Sequence, residues 1–134
     1  MTQQPEDREL LEMAAKAAGL TTKHKWNAER LLLGPPVLSL VVYRDGELSS
    51  TGWNPLKNDG DALRLAVKLG LVCSPGTLIF TNDDDLMGAW ADKDQMYGTG
   101  FYQQVSWSLS KGDPYAATRR AIVRAAAEIG RAMP

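Results

Sequence analysis

Helical spacing of apolar residues is the clearest pattern in the chain, and it occurs in three segments. Residues 5–18, 60–69 and 113–131 each place apolar side chains three and four positions apart, which aligns them along one face of a helix. Capping and helix-breaking residues stand where such helices would begin and end. We therefore predict three helices, bounded by Pro5, Gly19, Asn58, Gly70, Asp113 and Pro114.

The middle predicted helix, residues 60–69, is the most apolar of the three. Leu63 and Val67 widen its apolar face, which leaves Arg64 and Lys68 as the clearly polar strip. A surface helix normally has a narrower apolar stripe and a broader charged face. The sequence therefore predicts that this helix is mostly buried.

Extended structure is predicted before the middle helix and again late in the chain. Residues 37–43 are a nearly continuous apolar run rich in β-branched side chains, which is typical of a buried strand. Asp45-Gly46 is a hairpin turn signal, so residues 47–52 should return as a second strand. Residues 101–109 alternate between apolar and polar side chains, which indicates a half-buried strand.

Two other segments have weaker patterns. Residues 22–34 are ambiguous and allow a short strand at 23–26. Residues 71–73 and 77–81 predict short extended pieces on either side of a Ser74-Pro75-Gly76 turn.

The chain as a whole is predicted to be one α+β domain, residues 1–134. We expect a helix/sheet/helix sandwich with about three helices on a small, mostly antiparallel sheet of four to five strands. Residues 82–100 have no clean period, are acidic at the start and glycine-rich at the end, and form an irregular, loop-rich insertion with room for a short helix at 85–91.

Composition fits a globular domain: of 134 residues, 44% are hydrophobic and 23% charged. The net charge of -1 gives no overall attraction to nucleic acid or to an anionic membrane, and no apolar run is long enough to span a bilayer. Cys73 is the only cysteine, so an intrachain disulfide is excluded. The first residues do not read as a signal peptide. We therefore expect a cytoplasmic protein.

Catalytic chemistry has little support in the sequence. His24 is the only histidine and Cys73 the only cysteine. A catalytic cysteine and histidine need to meet in space but not in sequence, so their separation along the chain does not exclude such a pair. No flanking sequence signature supports one. No CxxC, HExxH or phosphate-binding glycine loop occurs. We expect no enzyme, no catalytic residues and no cofactor, with His24 at the surface and Cys73 buried.

One acidic segment resembles a metal-binding motif only in part. Asp83, Asp85 and Gly88 are spaced like the start of a calcium loop. Met87, however, stands where an oxygen ligand is needed, and Asp94 stands where a bidentate glutamate is expected. We therefore expect an acidic, solvated loop and no metal site.

Two groups of residues are candidates for binding a partner. The last predicted helix carries a basic stripe that could contact phosphates or carboxylates, although a solvated face near the negative end of the helix dipole is the favoured explanation. Aromatic side chains near loops anchor partners or stack on bases, but they also close the open ends of sheets. The candidate binding residues are Trp53, Asn54, Trp90, Tyr97, Tyr102, Arg120 and Arg124, with Arg131 completing the stripe.

Three segments carry a resemblance to a known family. They are the turn Trp53-Asn54-Pro55-Leu56 with the helix that follows it to residue 71, the alanine-rich segment 113–130, and the helical segment 14–19. Together they cover somewhat less than half of the chain. They resemble the phage ABA-sandwich domain, a group of short proteins from phage and prophage genomes. The resemblance implies helices on both faces of a small antiparallel sheet, and it implies no catalytic residue because the group has no settled activity. Residues 77–110 match nothing in that group.

The residues and the resemblance together favour a non-enzymatic phage or prophage accessory protein. It would bind and inhibit a host protein in the bacterial cytoplasm, and an anti-defence protein such as an anti-CRISPR is one instance. The alternative is a small-molecule binder that sequesters nucleotide immune signals, in which tryptophans and arginines stack on and neutralise the ligand. A structural or interaction protein of another kind is a further alternative. A nucleic-acid binder is disfavoured by the net charge, and a homo-oligomer stays open.

Overall fold

Helices and strands alternate irregularly along the chain. This computed structural model describes residues 3–32, 39–78, 87–93, 103–106 and 113–134. The described elements are α1 (Gln3–Ala17), α2 (Lys25–Leu32), β1 (Leu40–Arg44), β2 (Glu47–Trp53), α3 (Asp59–Leu69), β3 (Leu71–Leu78), β4 (Met87–Lys93), β5 (Gln103–Ser106) and α4 (Pro114–Ala132). The protein is α+β, as the sequence predicts.

The three helices predicted from capping signals are confirmed as α1, α3 and α4. Asn58 caps α3 by accepting a hydrogen bond from the backbone N of Asp61 at 2.8 Å, and Gly70 ends the helix in the left-handed conformation. Asp113 caps α4 by accepting from the backbone N of Tyr115 and Ala116. Local side-chain chemistry therefore sets these boundaries.

The described strands form two antiparallel sheets. β1 and β2 make a hairpin whose Asp45 and Gly46 both have positive φ, 52° and 81°, as a tight hairpin turn requires. β3, β4 and β5 pair in that order in a second sheet. The described residues contain four helices where about three were predicted, and their five strands lie in two sheets.

The additional helix, α2, occupies the segment for which the sequence allowed a short strand. Its position depends on Asn27, which is buried. The Nδ2 of Asn27 donates to the carbonyl oxygens of Thr22 and Val41 at 2.8 and 2.9 Å, and its Oδ1 accepts from the backbone N of Val41 at 2.8 Å. Because Val41 lies in β1, this contact was not readable from the local pattern of residues 22–34.

Strand β3 continues through Ser74-Pro75-Gly76, where the sequence predicted a turn. In the described sheet β3 pairs only with β4, so it is an edge strand. Proline is tolerated at an edge because its missing N–H removes no hydrogen bond from the sheet interior. A register shift between Pro75 and Thr77 accommodates the irregular backbone. A Ser-Pro-Gly sequence is therefore compatible with a bulged edge strand as well as with a turn.

Strand β4 lies inside the segment 82–100 that was predicted to be irregular. The short helix predicted at 85–91 is wrong, because residues 87–93 pair with β3 on one side and β5 on the other. Pairing along both edges stabilises an extended segment whose glycine and alanines have low strand propensity. The other residues of 82–100 lie outside the described residues, whereas β5 falls within the strand predicted at 101–109.

Helix α4 has neighbours on several sides: α1, α3 and the strands β3–β5. Its buried face is built largely from small residues, and α1 contributes alanines to the same core. At Gly130 the two helices approach so closely that a β-carbon would collide with the carbonyl oxygen of Met13. The small buried residues of α1 and α4 are Ala14, Ala15, Ala18, Ala117, Ala121, Ala125, Ala126, Ala127 and Gly130.

Replacing Gly130 with alanine is expected to lower the free energy of unfolding by about 2 to 3 kcal/mol, because the added methyl group forces α1 and α4 apart. In a helix, alanine is otherwise more favourable than glycine by about 1 kcal/mol. A loss of stability in this variant would therefore be due to the collision and not to helix propensity. Urea unfolding followed by circular dichroism measures it. The control is Gly52→Ala, whose β-carbon would meet nothing within 4 Å. A Gly130→Ala protein as stable as the natural one would contradict the close helix contact.

Candidate functional site

The outer side of α3 is apolar and exposed to solvent. Leu63 is 64% exposed and Val67 72% exposed, whereas Ala62, Leu65 and Ala66 on the inner side are buried. The prediction that this helix is mostly buried is therefore wrong for its outer side. Adjacent apolar side chains left in water are typical of a surface that another molecule covers.

An apolar groove lies between α3 and the first turns of α4, and its volume is about 550 Å³. Leu63 contributes to one wall, and Tyr115, which is 69% exposed, stands on the other. We call this region the α3/α4 groove. Its lining residues are Asp59, Ala62, Leu63, Cys73, Pro114, Tyr115, Thr118, Arg119 and Ile122.

Arg119 fixes the two walls of the α3/α4 groove to each other. Its Nε donates to the carbonyl oxygen of Leu56 at 2.8 Å, and its Nη1 donates to Oδ1 of Asp59 at 2.6 Å. Leu56 lies in the turn before α3, and Asp59 is the first residue of that helix. The first turns of α4 are thereby held against the beginning of α3, so the groove is formed before any partner arrives.

Cys73 lies in the groove and is exposed, where the sequence predicted a buried thiol. The surrounding groove walls nevertheless remove part of its hydration, and this desolvation raises the pKa of Cys73 above the ordinary value of a thiol. The raised pKa favours the protonated thiol, which is a weaker nucleophile than the thiolate.

His24 lies against Trp26 and Tyr43, away from any catalytic arrangement with Cys73. Its ring stacks on Tyr43 with centroids 5.9 Å apart, and its Nδ1 accepts from the backbone N of Trp26 at 3.0 Å. Among the described residues it forms no hydrogen bond to the Cys73 thiol. Within the described ranges, His24 therefore does not serve as a base for Cys73.

Among the predicted aromatic candidates, the structure describes the side-chain surroundings of Trp53 only. Trp53 is 7% exposed and belongs to the hydrophobic core. The Oδ1 of Asn54 accepts from the backbone N of Leu56 at 3.1 Å, which shapes the turn into α3. Trp90 is a residue of β4. Tyr97 and Tyr102 lie outside the described residues.

The predicted arginine stripe is engaged in ion pairs. Arg120 makes a bidentate contact with Asp7, with N–O distances of 2.9 and 3.0 Å, and both side chains are mostly buried. Arg131 contacts Glu9 and Glu128 at 3.3 and 3.1 Å. Arg124 is half-buried. Arg120 and Arg131 therefore hold α4 against α1.

Metal ligands and membrane-crossing helices are absent from the described part of the chain. There, no three histidine, cysteine, aspartate or glutamate side chains are grouped so as to hold a metal ion. No described helix has the length and apolar character needed to cross a bilayer. The acidic residues Asp83, Asp84 and Asp85 lie outside the described residues.

Comparison with known proteins finds no relative. The chain matches no family model, no curated protein and no solved structure. The phage resemblance consequently stays an expectation that rests on segments of the sequence. Sequence reasoning missed the α3/α4 groove, although one signal was present, the excess of apolar residues in α3.

The pair Asp7–Arg120 is expected to stabilise the fold. Arg120→Ala should lower the free energy of unfolding by about 1 to 3 kcal/mol, because it leaves a mostly buried carboxylate without its partner. Asp7→Ala should have a similar effect, and the double variant should lose less than the sum of the two. Urea unfolding measures all three. Arg131→Ala, at a more exposed pair, is the control and should change stability by less than about 0.5 kcal/mol. Additive losses would contradict direct coupling.

The reactivity of Cys73 should follow its raised pKa. Alkylation by iodoacetamide at neutral pH is expected to be slower than that of a free cysteine, because less of the thiol is ionised. The rate should keep increasing with pH beyond the point, about 8.5, where an ordinary thiol is half ionised. Mass spectrometry of the intact protein over a pH series measures this rate. A midpoint at or below that of a cysteine-containing peptide would contradict the desolvated environment.

Proposed function

We propose that this protein is a non-enzymatic inhibitor that binds a host protein through the α3/α4 groove. The observation that carries the proposal is the exposed apolar side of α3, Leu63 and Val67, beside a groove with Tyr115 on its opposite wall. Covering these side chains removes apolar surface from water, and tyrosine is enriched among residues that dominate binding energy. An amphipathic helix of the partner suits a groove of this kind.

The biological setting of the proposal comes from the phage resemblance. We propose a phage or prophage accessory protein that acts in the host bacterial cytoplasm, with anti-defence proteins such as an anti-CRISPR as one instance. A small protein can inhibit a larger one by occupying its functional surface, and this requires an interface instead of catalytic groups.

The helix/sheet/helix sandwich of the resembled group belongs to the same proposal. Its support is that α4 packs against the strands β3–β5. In this arrangement the hairpin β1–β2 and the strands β3–β5 would act as one layer between helices. An experimental structure with the two sheets joined would support the sandwich, and one with α4 as the only helix facing a strand layer would contradict it.

Variants of α3 test the proposed interface. The tagged full chain would be used to capture a host protein from bacterial lysate, and the partner would then be purified for affinity measurement. Leu63→Glu and Val67→Glu should each weaken that affinity at least tenfold, since each places a charge in a desolvated contact. Because both positions are exposed, the free energy of unfolding should change by no more than about 0.5 kcal/mol.

Leu48→Glu is the matched control, because Leu48 is an exposed leucine on β2, outside the groove. It should leave the affinity unchanged. The bound partner should also protect Cys73 from alkylation, since the thiol lines the groove. Full affinity in both α3 variants, together with unprotected Cys73 in the complex, would exclude the groove as the interface.

A further inference from the structure

A second concave site lies on the other side of α3 and is independent of the proposed protein interface. It is a cavity of about 330 Å³ between the end of α1, the hairpin β1–β2 and α3. The volume is at the small end of the range for small-molecule sites. We call it the hairpin cavity. Its polar and aromatic lining residues are Arg44, Ser49, Ser50, Trp53, Arg64 and Lys68, and Asp61 also contributes.

The hairpin cavity is cationic although the chain as a whole has a net charge of -1. Arg44, Arg64 and Lys68 carry positive charge, and Asp61 is the one carboxylate among the lining residues. Both oxygens of Asp61 are already occupied: Oδ2 accepts from the backbone N of Asn54 at 2.9 Å, and Oδ1 accepts from Nη2 of Arg64 at 2.8 Å. The positive charge of the cavity therefore exceeds what its own carboxylate neutralises.

Several hydrogen-bond donors of the hairpin cavity lack an acceptor within the described residues. The Nη1 of Arg44 donates to the carbonyl oxygen of Ala18 at 3.2 Å, which orients the guanidinium and leaves its remaining N–H groups unused. Lys68 makes no hydrogen bond or ion pair within the described ranges, and the Ser49 hydroxyl makes none there either. Converging unused donors and positive charge are what an anion with several oxygens requires.

We propose that the hairpin cavity binds a phosphate monoester of sugar or nucleoside size. The dianionic phosphate contacts Arg44 and Lys68, and Arg64 closes over it from the exposed side of α3. The organic part of the ligand lies against the apolar walls formed by Leu20, Trp53 and Leu65. This is the kind of site that the small-molecule alternative drawn from the sequence requires, but the geometry specifies only the phosphate monoester and no particular signal.

Calorimetric titration of the full chain tests the proposal with four probes: adenosine 5′-monophosphate, ribose 5-phosphate, adenosine and inorganic phosphate. At least one of the two monoesters should bind with a dissociation constant below about 1 mM, more tightly than inorganic phosphate, and adenosine should not bind. Raised ionic strength should weaken the binding because it screens the charges.

Lys68→Glu should weaken monoester binding at least tenfold, and Arg64→Gln, which also exposes the charge of Asp61, should weaken it similarly. Lys57→Glu is the matched control, because it makes the same charge change at an exposed position outside the cavity. It should alter binding less than twofold.

Three results would overturn the proposal. They are no binding of either monoester up to about 10 mM, binding of inorganic phosphate as tight as that of the monoesters, and equal losses in Lys68→Glu and Lys57→Glu. Thermal unfolding of each variant confirms that it is folded. Because Leu63→Glu leaves the cavity intact, a failed host-protein interface and a failed phosphate site give distinguishable outcomes.

Discussion

The close packing of α1 on α4 is the constraint on which the rest of the molecule depends. Alanines from both helices and Gly130 fill this contact, and the backbone of Met13 touches α4 without an intervening side chain. Small side chains bury little area each, so the contact depends on dense van der Waals packing over its whole length. The Asp7–Arg120 pair closes its edge. With α1 fixed on one side, α4 offers its remaining surface to α3 and to the strands β3–β5.

Helix α3 separates the two candidate binding regions, and its first turn positions both. Arg119 bonds Asp59 and thereby ties α4 to α3 beside the groove. Asp61, two residues after Asp59, accepts hydrogen bonds from Arg64 and from the backbone N of Asn54. These bonds hold the helix against the turn that leads from the hairpin. The side of α3 that faces the groove is apolar, whereas the side that faces the hairpin cavity carries the charges. One helix of ordinary length thus presents two surfaces of opposite chemistry.

Several side chains that the sequence singled out have other neighbours in the fold. Desolvation raises the pKa of the Cys73 thiol, and His24 is engaged with aromatic neighbours and a backbone N–H. Arg120, which the sequence predicted to bind a partner, forms an ion pair with Asp7 within the fold. Among the described residues, Leu63 and Val67 are exposed on one side of α3, and Lys68 on the other side makes no hydrogen bond or ion pair. Exposed apolar side chains and unpaired cations of this kind are groups that a bound molecule can satisfy.

The sequence by itself determined the elements whose signals are local. Asn58 and Asp113 cap the helices that follow them, and Asp45-Gly46 turns the hairpin, because each of these groups bonds or bends the backbone within a few residues. The same local signals fixed the α+β class.

Only the tertiary structure decided features whose partners are distant in sequence. Asn27 stabilises α2 through Val41, Pro75 is accepted because its strand lies at an edge, and Trp53 is buried by elements from several parts of the chain. The exposure of Leu63 was decided in the same way, since the described neighbours of α3 leave this side chain largely in solvent. A sequence pattern records what a side chain prefers, but burial, pairing and the presence of a cavity depend on which other segments arrive beside it.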